Sequence, residues 1–92
     1  MIYAINYDLN QPGQNYDELY EAIKGCGVWW NYLDSMWLVD TNLTAQGIWS
    51  KLSPHTDKND SILITGINRD HAGWLPQKAW DWINSRTTKM AA

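Results

Sequence analysis

Apolar and polar positions along the chain follow two periods, which predict four strands and three helices. Segments that alternate between apolar and polar residues, or that are rich in β-branched and aromatic residues, predict strands. Apolar positions spaced three and four residues apart predict helices. The strands are expected at Ile2–Leu9, Val28–Leu33, Met36–Thr41 and Ser61–Ile67, and the helices from Asn15, after Thr44 and over Gln77–Ser85. The predicted element order is therefore β-α-β-β-α-β-α.

Local signals indicate where the helices begin and end. Asn15 and Thr44 are suited to cap the first and second helices, because their side-chain oxygens can accept hydrogen bonds from backbone N–H groups. Gly25 and Gly27 follow the first helix, where glycine is a common terminator. Pro76 fits the first turn of the third helix.

The second and third strands form an aromatic hairpin around a turn at Asp34-Ser35. Side chains in a strand alternate between faces, so Trp30 lies on one face, and Trp29 and Leu33 lie on the other. A hairpin on a small domain usually has one polar face, but this hairpin has a Trp on each. We therefore expect one face to be covered by the protein's own helices. We expect the other to be covered partly by the third helix and partly by a second copy of the chain.

The order of the first six elements is that of the split βαβ plan. It predicts an α+β, ferredoxin-like fold with a four-stranded antiparallel sheet, to which the third helix is added at the C-terminus. Because Ser61–Ile67 is almost continuously apolar, we expect this last strand to be central in the sheet. Residues 1–86 are expected to form one domain, and residues 87–92 a flexible tail.

Composition and charge narrow the classes of function. The 92 residues include seven Trp and five Tyr but no Phe, and the net charge is −3. An acidic chain is poorly suited to loose binding of phosphate backbones. Cys26 is the only cysteine, so an internal disulfide is excluded and a cytoplasmic location is expected. The opening MIYAINYD lacks the pattern of a signal peptide, and no apolar run has the length of a membrane span.

Five residues are candidates for a functional site. Asp8 could bind Mg²⁺ through its carboxylate oxygens, with Asn10 beside it, or it could simply accept hydrogen bonds in the loop after the strand. Ser35 and Trp37 could line a small-ligand pocket, with the indole stacked on a base, or they could be a turn serine and a core tryptophan. Trp74, close to two further tryptophans, could contact a ligand or partner, but one or two of the three tryptophans are expected to dock the third helix on the sheet.

Signatures of other chemistries are lacking in the sequence. It contains no glycine-rich phosphate loop, no CxxC pair and no recognisable Ser-His-Asp motif. His55, Asp57 and Asp60 have a spacing that matches no zinc motif, and the same holds for His71. These observations favour binding over catalysis.

Several motifs resemble those of the small bacterial and phage proteins often labelled SinR-like. These motifs are YDLN followed by PGQ at 12–14, WW-x-YL-x-S-x-W at 29–37, ND at 59–60 and GWL…AWDWI at 73–83. The first strand, which ends in Tyr7-Asp8, also resembles that of the second CRISPR-associated protein, a small dimeric adaptation endoribonuclease. It is similar as well to the first strand of the VapD-like toxin ribonucleases.

The resemblance implies a ferredoxin-like fold and a homodimer. In the CRISPR-associated family, an aspartate at the end of the first strand faces its dimer mate and can help to hold a metal. By motif position that residue is Asp8 here. This chain differs from that family in being acidic, in lacking basic clusters and in adding a Trp-rich third helix.

Two hypotheses of function follow. The first is a non-catalytic homodimer that needs no cofactor and binds a nucleotide, an oligonucleotide or a protein partner. A phage or mobile-element origin would favour a role against host defence. The alternative is a metal-dependent endoribonuclease, which would use Mg²⁺ and Asp8 residues paired across the dimer.

Overall fold

The computed structural model describes residues 1–9 and 16–87, which form four strands and three α-helices. The elements are β1 (Ile2–Asp8), α1 (Asp17–Lys24), β2 (Val28–Leu33), β3 (Met36–Asp40), α2 (Ala45–Leu52), a 3₁₀ turn (Ser53–His55), β4 (Ser61–Ile67) and α3 (Gln77–Thr87). The predicted element order is confirmed. The predicted cap at Asn15 and the segment after Thr87 lie outside the described residues.

The four strands form one antiparallel sheet in the order β2-β3-β1-β4. This is the split βαβ arrangement, in which a third strand separates each pair of strands that a helix connects. The predicted ferredoxin-like fold, with an added C-terminal helix, is therefore confirmed. The prediction that Ser61–Ile67 is central was wrong, because β4 is an edge strand and none of its residues is fully buried.

Helices α1 and α2 cover the first face of the sheet. The apolar residues buried there come from both helices, from β1 and β3, and from the end of α1: Ile5, Leu19, Ile23, Cys26, Trp37, Val39, Ile48 and Leu52. Thr44 caps α2 as predicted, since its hydroxyl accepts a hydrogen bond from the Gly47 N–H at 3.0 Å. α1 begins at Asp17 without a side-chain cap bond at Tyr16.

Helix α3 covers part of the second face. The residues buried between this helix and the sheet are Ile2, Ala4, Trp30, Leu38, Ala79 and Ile83. Trp30 is on this face, whereas Trp29 contacts Trp37 on the first face with ring centroids 5.2 Å apart. A Trp on each face of the hairpin is therefore explained, because helices cover both faces of the sheet. The prediction that the third helix covers part of the second face is confirmed. α3 extends to Thr87, which is buried and lies one residue into the segment predicted as a tail.

A β-bulge in β2 changes the predicted faces of the hairpin. Trp30 pairs with Leu38 and Leu33 pairs with Met36, so three steps along β2 match two along β3. The extra residue reverses the alternation beyond the bulge. The prediction that Leu33 shares a face with Trp29 was wrong, because Leu33 lies with Met36 on the face of α3.

Candidate functional site

The second face of the sheet, on which the candidate site lies, is covered unevenly by α3. Ile2 and Ala4, in the first half of β1, are buried beneath α3, while Asp8 at the end of the same strand is exposed. Leu63 of β4 pairs with Asn6 near this exposed end, and 61% of its surface is accessible. Helix α3 is too short to cover the whole face, so apolar side chains remain in contact with solvent.

The segment between β4 and α3, residues 68–76, forms one wall of the site. The Asp70 N–H donates to the Asn68 side-chain oxygen at 2.8 Å, which closes a local turn. Arg69 Nε donates to the Thr87 carbonyl at 3.4 Å and so connects this segment to the end of α3. His71 stacks on Trp80 of α3, with centroids 6.0 Å apart and ring planes 13° apart. These contacts hold the segment against the helix.

The hydrogen bond of His71 determines which of its ring nitrogens carries the proton. Nδ1 lies 2.8 Å from the Asn68 carbonyl oxygen. A carbonyl oxygen only accepts, so Nδ1 must be the donor and, in the neutral ring, Nε2 has a free lone pair. When the ring is neutral, Nε2 of His71 is thus a hydrogen-bond acceptor on a residue that belongs to a largely apolar lining.

Between this segment, α3 and the sheet lies a cavity of about 360 Å³, here called the second-face cavity. Its lining residues come from the hairpin, the end of β4, the connecting segment and α3: Leu33, Met36, Leu38, Ile67, His71, Ala72, Gly73, Trp74, Leu75, Trp80 and Ile83. None of them is Lys, Arg, Asp or Glu. The volume is at the lower end of the range of small-molecule sites, roughly 300–1,000 Å³.

Trp74 is the most unusual residue of the lining, because 97% of its surface is accessible. Its neighbour Leu75 is half-buried and packs against the second core. Trp74 and Trp80 also line an adjoining cavity with Pro76 and Gln77. Because the Trp74 indole is almost completely exposed to water, it buries almost no apolar surface and contributes little to the stability of the fold. It does add a large apolar area to the rim of the cavity.

The structure brings two of the other predicted site residues to one end of the sheet. Asp8 is exposed at the end of β1 and pairs with Ser61. Ser35 is exposed in the hairpin turn, and its carbonyl accepts a hydrogen bond from the Tyr7 N–H at 3.1 Å. The turn and the end of β1 are thus adjacent, so Asp8 and Ser35 lie at the same end of the sheet.

Trp37 lies close to this end of the sheet but on the first face, in the core beneath α1 and α2. Only 4% of its surface is accessible, and its indole Nε1 donates to the Tyr7 hydroxyl at 3.0 Å. The prediction that Trp37 stacks on a ligand gains no support from this position, which is that of a core tryptophan. Asn10, the remaining predicted site residue, lies outside the described residues.

The aliphatic residues of the cavity lining were missed because the sequence contains no local signal for them. Leu33 reaches the lining through the bulge, and Ile67 belongs to a strand that the sequence placed in the centre of the sheet. His71 was considered only as a metal ligand, but its Nδ1 is bonded to a carbonyl. Among the described residues, no three His, Cys, Asp or Glu side chains are grouped closely enough to hold a metal ion.

No protein-family model, curated protein or solved structure matches this chain. The SinR-like and CRISPR-associated resemblance therefore stays a prediction. Of the helices in residues 1–9 and 16–87, none has the length and apolar character required to cross a bilayer.

Proposed function

We propose that this chain is a non-catalytic binding protein that acts as a homodimer and receives an apolar side chain of a protein partner in the second-face cavity. One observation carries the proposal: Trp74, 97% accessible, stands at the rim of a cavity lined without a charged side chain. Exposed tryptophans beside apolar pockets are typical of residues that dominate binding energy in protein interfaces.

The chemistry of the lining supports a protein partner over a phosphate-bearing ligand. The cavity wall includes Met36, Leu38 and Trp80 but no Lys or Arg. The chain has a net charge of −3, which opposes the approach of an anion at long range. An apolar side chain entering the cavity would displace water from these walls, which is favourable at roughly 25 cal/mol per Å² buried.

A nucleotide or oligonucleotide is the second candidate ligand, favoured by the exposure of the Trp74 indole. A base can stack on such a ring, and one stacked base contributes about 1–3 kcal/mol. The phosphate would then have to remain in solvent, outside the uncharged lining. A role against host defence would fit either ligand if the resemblance to phage proteins holds.

Titration of the ¹⁵N-labelled protein with small probes would test the proposal by NMR. The probes are N-acetyl-tryptophanamide and N-acetyl-leucinamide, which imitate partner side chains, and AMP, which imitates a nucleotide. We expect the two amides, at millimolar concentrations, to shift the signals of Leu33, His71 and the Trp80 indole N–H. Shifts from AMP alone would favour the nucleotide, and no shift in these signals from any probe would contradict a site at the cavity.

Matched tryptophan variants would show whether Trp74 contributes. Trp74→Ala removes the indole at the rim, and Trp49→Ala removes a partly exposed indole from α2, on the other side of the sheet. We expect Trp74→Ala to weaken probe binding severalfold and Trp49→Ala to leave it unchanged. Equal effects of both variants would mean that binding does not depend on this rim.

The endoribonuclease alternative depends on Asp8, which is exposed at the end of β1 near the Ser35 turn. Carboxylate oxygens suit Mg²⁺, and two copies of Asp8 could supply them across a dimer. Incubation of the purified protein with single-stranded RNA and Mg²⁺ or Mn²⁺ tests this alternative. We expect no cleavage, whereas cleavage that is lost in Asp8→Ala would establish the nuclease and replace the proposal above.

A further inference from the structure

Strand β4 is an open edge of the sheet with unusual composition. Among the described residues, the backbone of β4 pairs with β1 alone. Its sequence, SILITGI, contains no charged residue and no proline over seven positions. Natural proteins usually protect such edges with charges, proline or bulges, because an unpaired strand recruits another strand.

We infer that two copies of this chain pair antiparallel along β4 and form one continuous eight-stranded sheet. This inference rests on the homodimer of the proposed function and names the surface that forms it. It differs from an interface over the hairpin face, since the second-face cavity of each copy would stay accessible to a ligand.

The hydrogen bonds that β1 makes on its β3 side show which backbone N–H and C=O groups of β4 point away from β1. The Tyr7 N–H donates to the Ser35 carbonyl at 3.1 Å, and the Met1 carbonyl accepts from the Thr41 N–H at 3.0 Å. Odd-numbered residues of β1 therefore direct their backbone groups toward β3, and even-numbered residues direct theirs toward β4. Asn6 is even-numbered and lies opposite Leu63, so the backbone N–H and C=O of Leu63 point toward β1. The backbone groups of its two neighbours on β4 therefore point away from the sheet.

The outward groups of β4 belong to Ile62, Ile64 and Gly66. A two-fold axis at Ile64 would place Ile64 opposite Ile64 of the second copy, and Ile62 opposite Gly66. Each of these is then a hydrogen-bonded pair that exchanges two N–H···O bonds. In the intervening pairs, Leu63 of one copy is opposite Thr65 of the other. No pair contains a charge, so a two-fold arrangement meets no like-charge repulsion.

Apolar side chains border this edge on both faces of the sheet. On the second face, Leu63 is 61% accessible. On the first face, the half-buried Ile62 and Ile64 form a groove with Trp49 of α2, whose indole is partly exposed. Pairing of the edges would therefore bury apolar surface above and below the sheet in addition to completing backbone hydrogen bonds.

The opposite edge of the sheet is less suited to pairing. β2 has a bulge between Trp30 and Leu33, which interrupts its ladder of backbone groups. A two-fold contact at β4 occupies the edge of both copies at once, so assembly stops at the dimer instead of continuing into a fibre.

Charge pairs at Leu63 and Thr65 would test both the surface and the register. Both side chains are exposed, so their replacement should leave the fold intact. The double variant Leu63→Glu, Thr65→Glu places like charges opposite each other across the two-fold axis, and Leu63→Lys, Thr65→Lys does the same with the opposite sign. Mass is measured by light scattering at tens of micromolar. Circular dichroism and thermal unfolding verify the fold, and Val28→Lys, at an exposed position of β2, is the control at the other edge.

We expect the wild type and Val28→Lys to have the mass of a dimer, and each double variant to have half that mass. Mixing the two double variants should restore the dimer mass, because opposite charges then meet in every pair. A wild-type dimer whose mass both double variants retain would overturn pairing at β4 but leave the proposed homodimer in place. A monomeric wild type would overturn both, while the probe titrations at the cavity would still report on binding separately.

Discussion

Trp30 of β2 and Trp82 of α3 stack across the second face of the sheet, with ring centroids 6.4 Å apart and planes 24° apart. The guanidinium of Arg86 lies over the Trp82 ring at 4.5 Å, and its Nη1 is 2.7 Å from a carboxylate oxygen of Asp40. The hairpin and the added helix are thus joined by stacking, a cation–π contact and an ion pair. This connection explains why an aromatic hairpin has apolar side chains on both faces.

Ile83 should account for much of the stability with which α3 binds the sheet. It is buried in the second core, whereas its neighbour Asn84 is exposed. We expect Ile83→Ala to lower the free energy of unfolding by about 2–5 kcal/mol, because it removes apolar contacts and leaves a cavity. Urea unfolding measures the change. Asn84→Ala should change it by no more than about 0.5 kcal/mol, and equal effects of the two variants would contradict the docking described here.

The Tyr7 hydroxyl connects the first core to the hairpin turn. It accepts a hydrogen bond from Trp37 Nε1 at 3.0 Å and donates one to the Asp34 carbonyl at 3.1 Å. Tyr7→Phe would leave the indole N–H of a buried tryptophan without its acceptor, so we expect a loss of about 1–3 kcal/mol. A double-mutant cycle with Trp37→Phe, followed by urea unfolding, isolates the pair. A coupling energy near zero would show that the bond contributes nothing.

Replacement by alanine should have different effects on stability at the two glycines after α1. A Cβ on Gly27 would lie 2.2 Å from the Asp40 carbonyl oxygen, which is backbone and cannot rotate away. We expect Gly27→Ala to cost about 1–3 kcal/mol through overpacking. A Cβ on Gly25 would meet backbone oxygens only at 3.5 Å, and its φ of −74° is helical. Gly25→Ala should therefore be neutral or stabilise by up to about 1 kcal/mol, as thermal unfolding would show.

Stability should fall as the pH rises above about 9, the region where cysteine and tyrosine begin to ionise. Burial raises the pKa of the Cys26 thiol above its usual value of 9.0. Burial also raises the pKa of Tyr7 above 10.0, although the Trp37 hydrogen bond opposes this shift. In each case the unfolded chain releases its proton at a lower pH than the folded chain, so the stabilisation is complete below the unfolded pKa and decreases above it.

Urea unfolding between pH 7 and pH 10.5 would measure this decline, and the variant Cys26→Ala should make it less steep. Alkylation provides a second measurement, since the thiolate is the reactive form. Cys26 is buried and its Sγ lies 3.3 Å from the Ala22 carbonyl oxygen. Iodoacetamide at pH 8 should modify it slowly in the native protein and rapidly in urea. Equal rates would contradict the buried thiol.

The sequence alone determined the elements, their order and the fold plan. Apolar periodicity placed every strand and helix, and Thr44 marked the start of α2, because these are local properties of the backbone and its neighbouring side chains. A Trp on each face of β2 further indicated that the sheet would be covered on both sides. The same pattern predicted that α3 would cover part of the second face, but it could not say which part, since this depends on where the helix lies.

Only the tertiary structure decided the position of β4, the face of Leu33 and the existence of the second-face cavity. An apolar strand can have the same sequence pattern at the edge of a sheet and in its centre, because local sequence does not specify which strands pair. The bulge that turns Leu33 toward α3 depends on the register between β2 and β3. The cavity requires residues from the hairpin, β4, the connecting segment and α3 to meet, and no single stretch of the sequence contains that information.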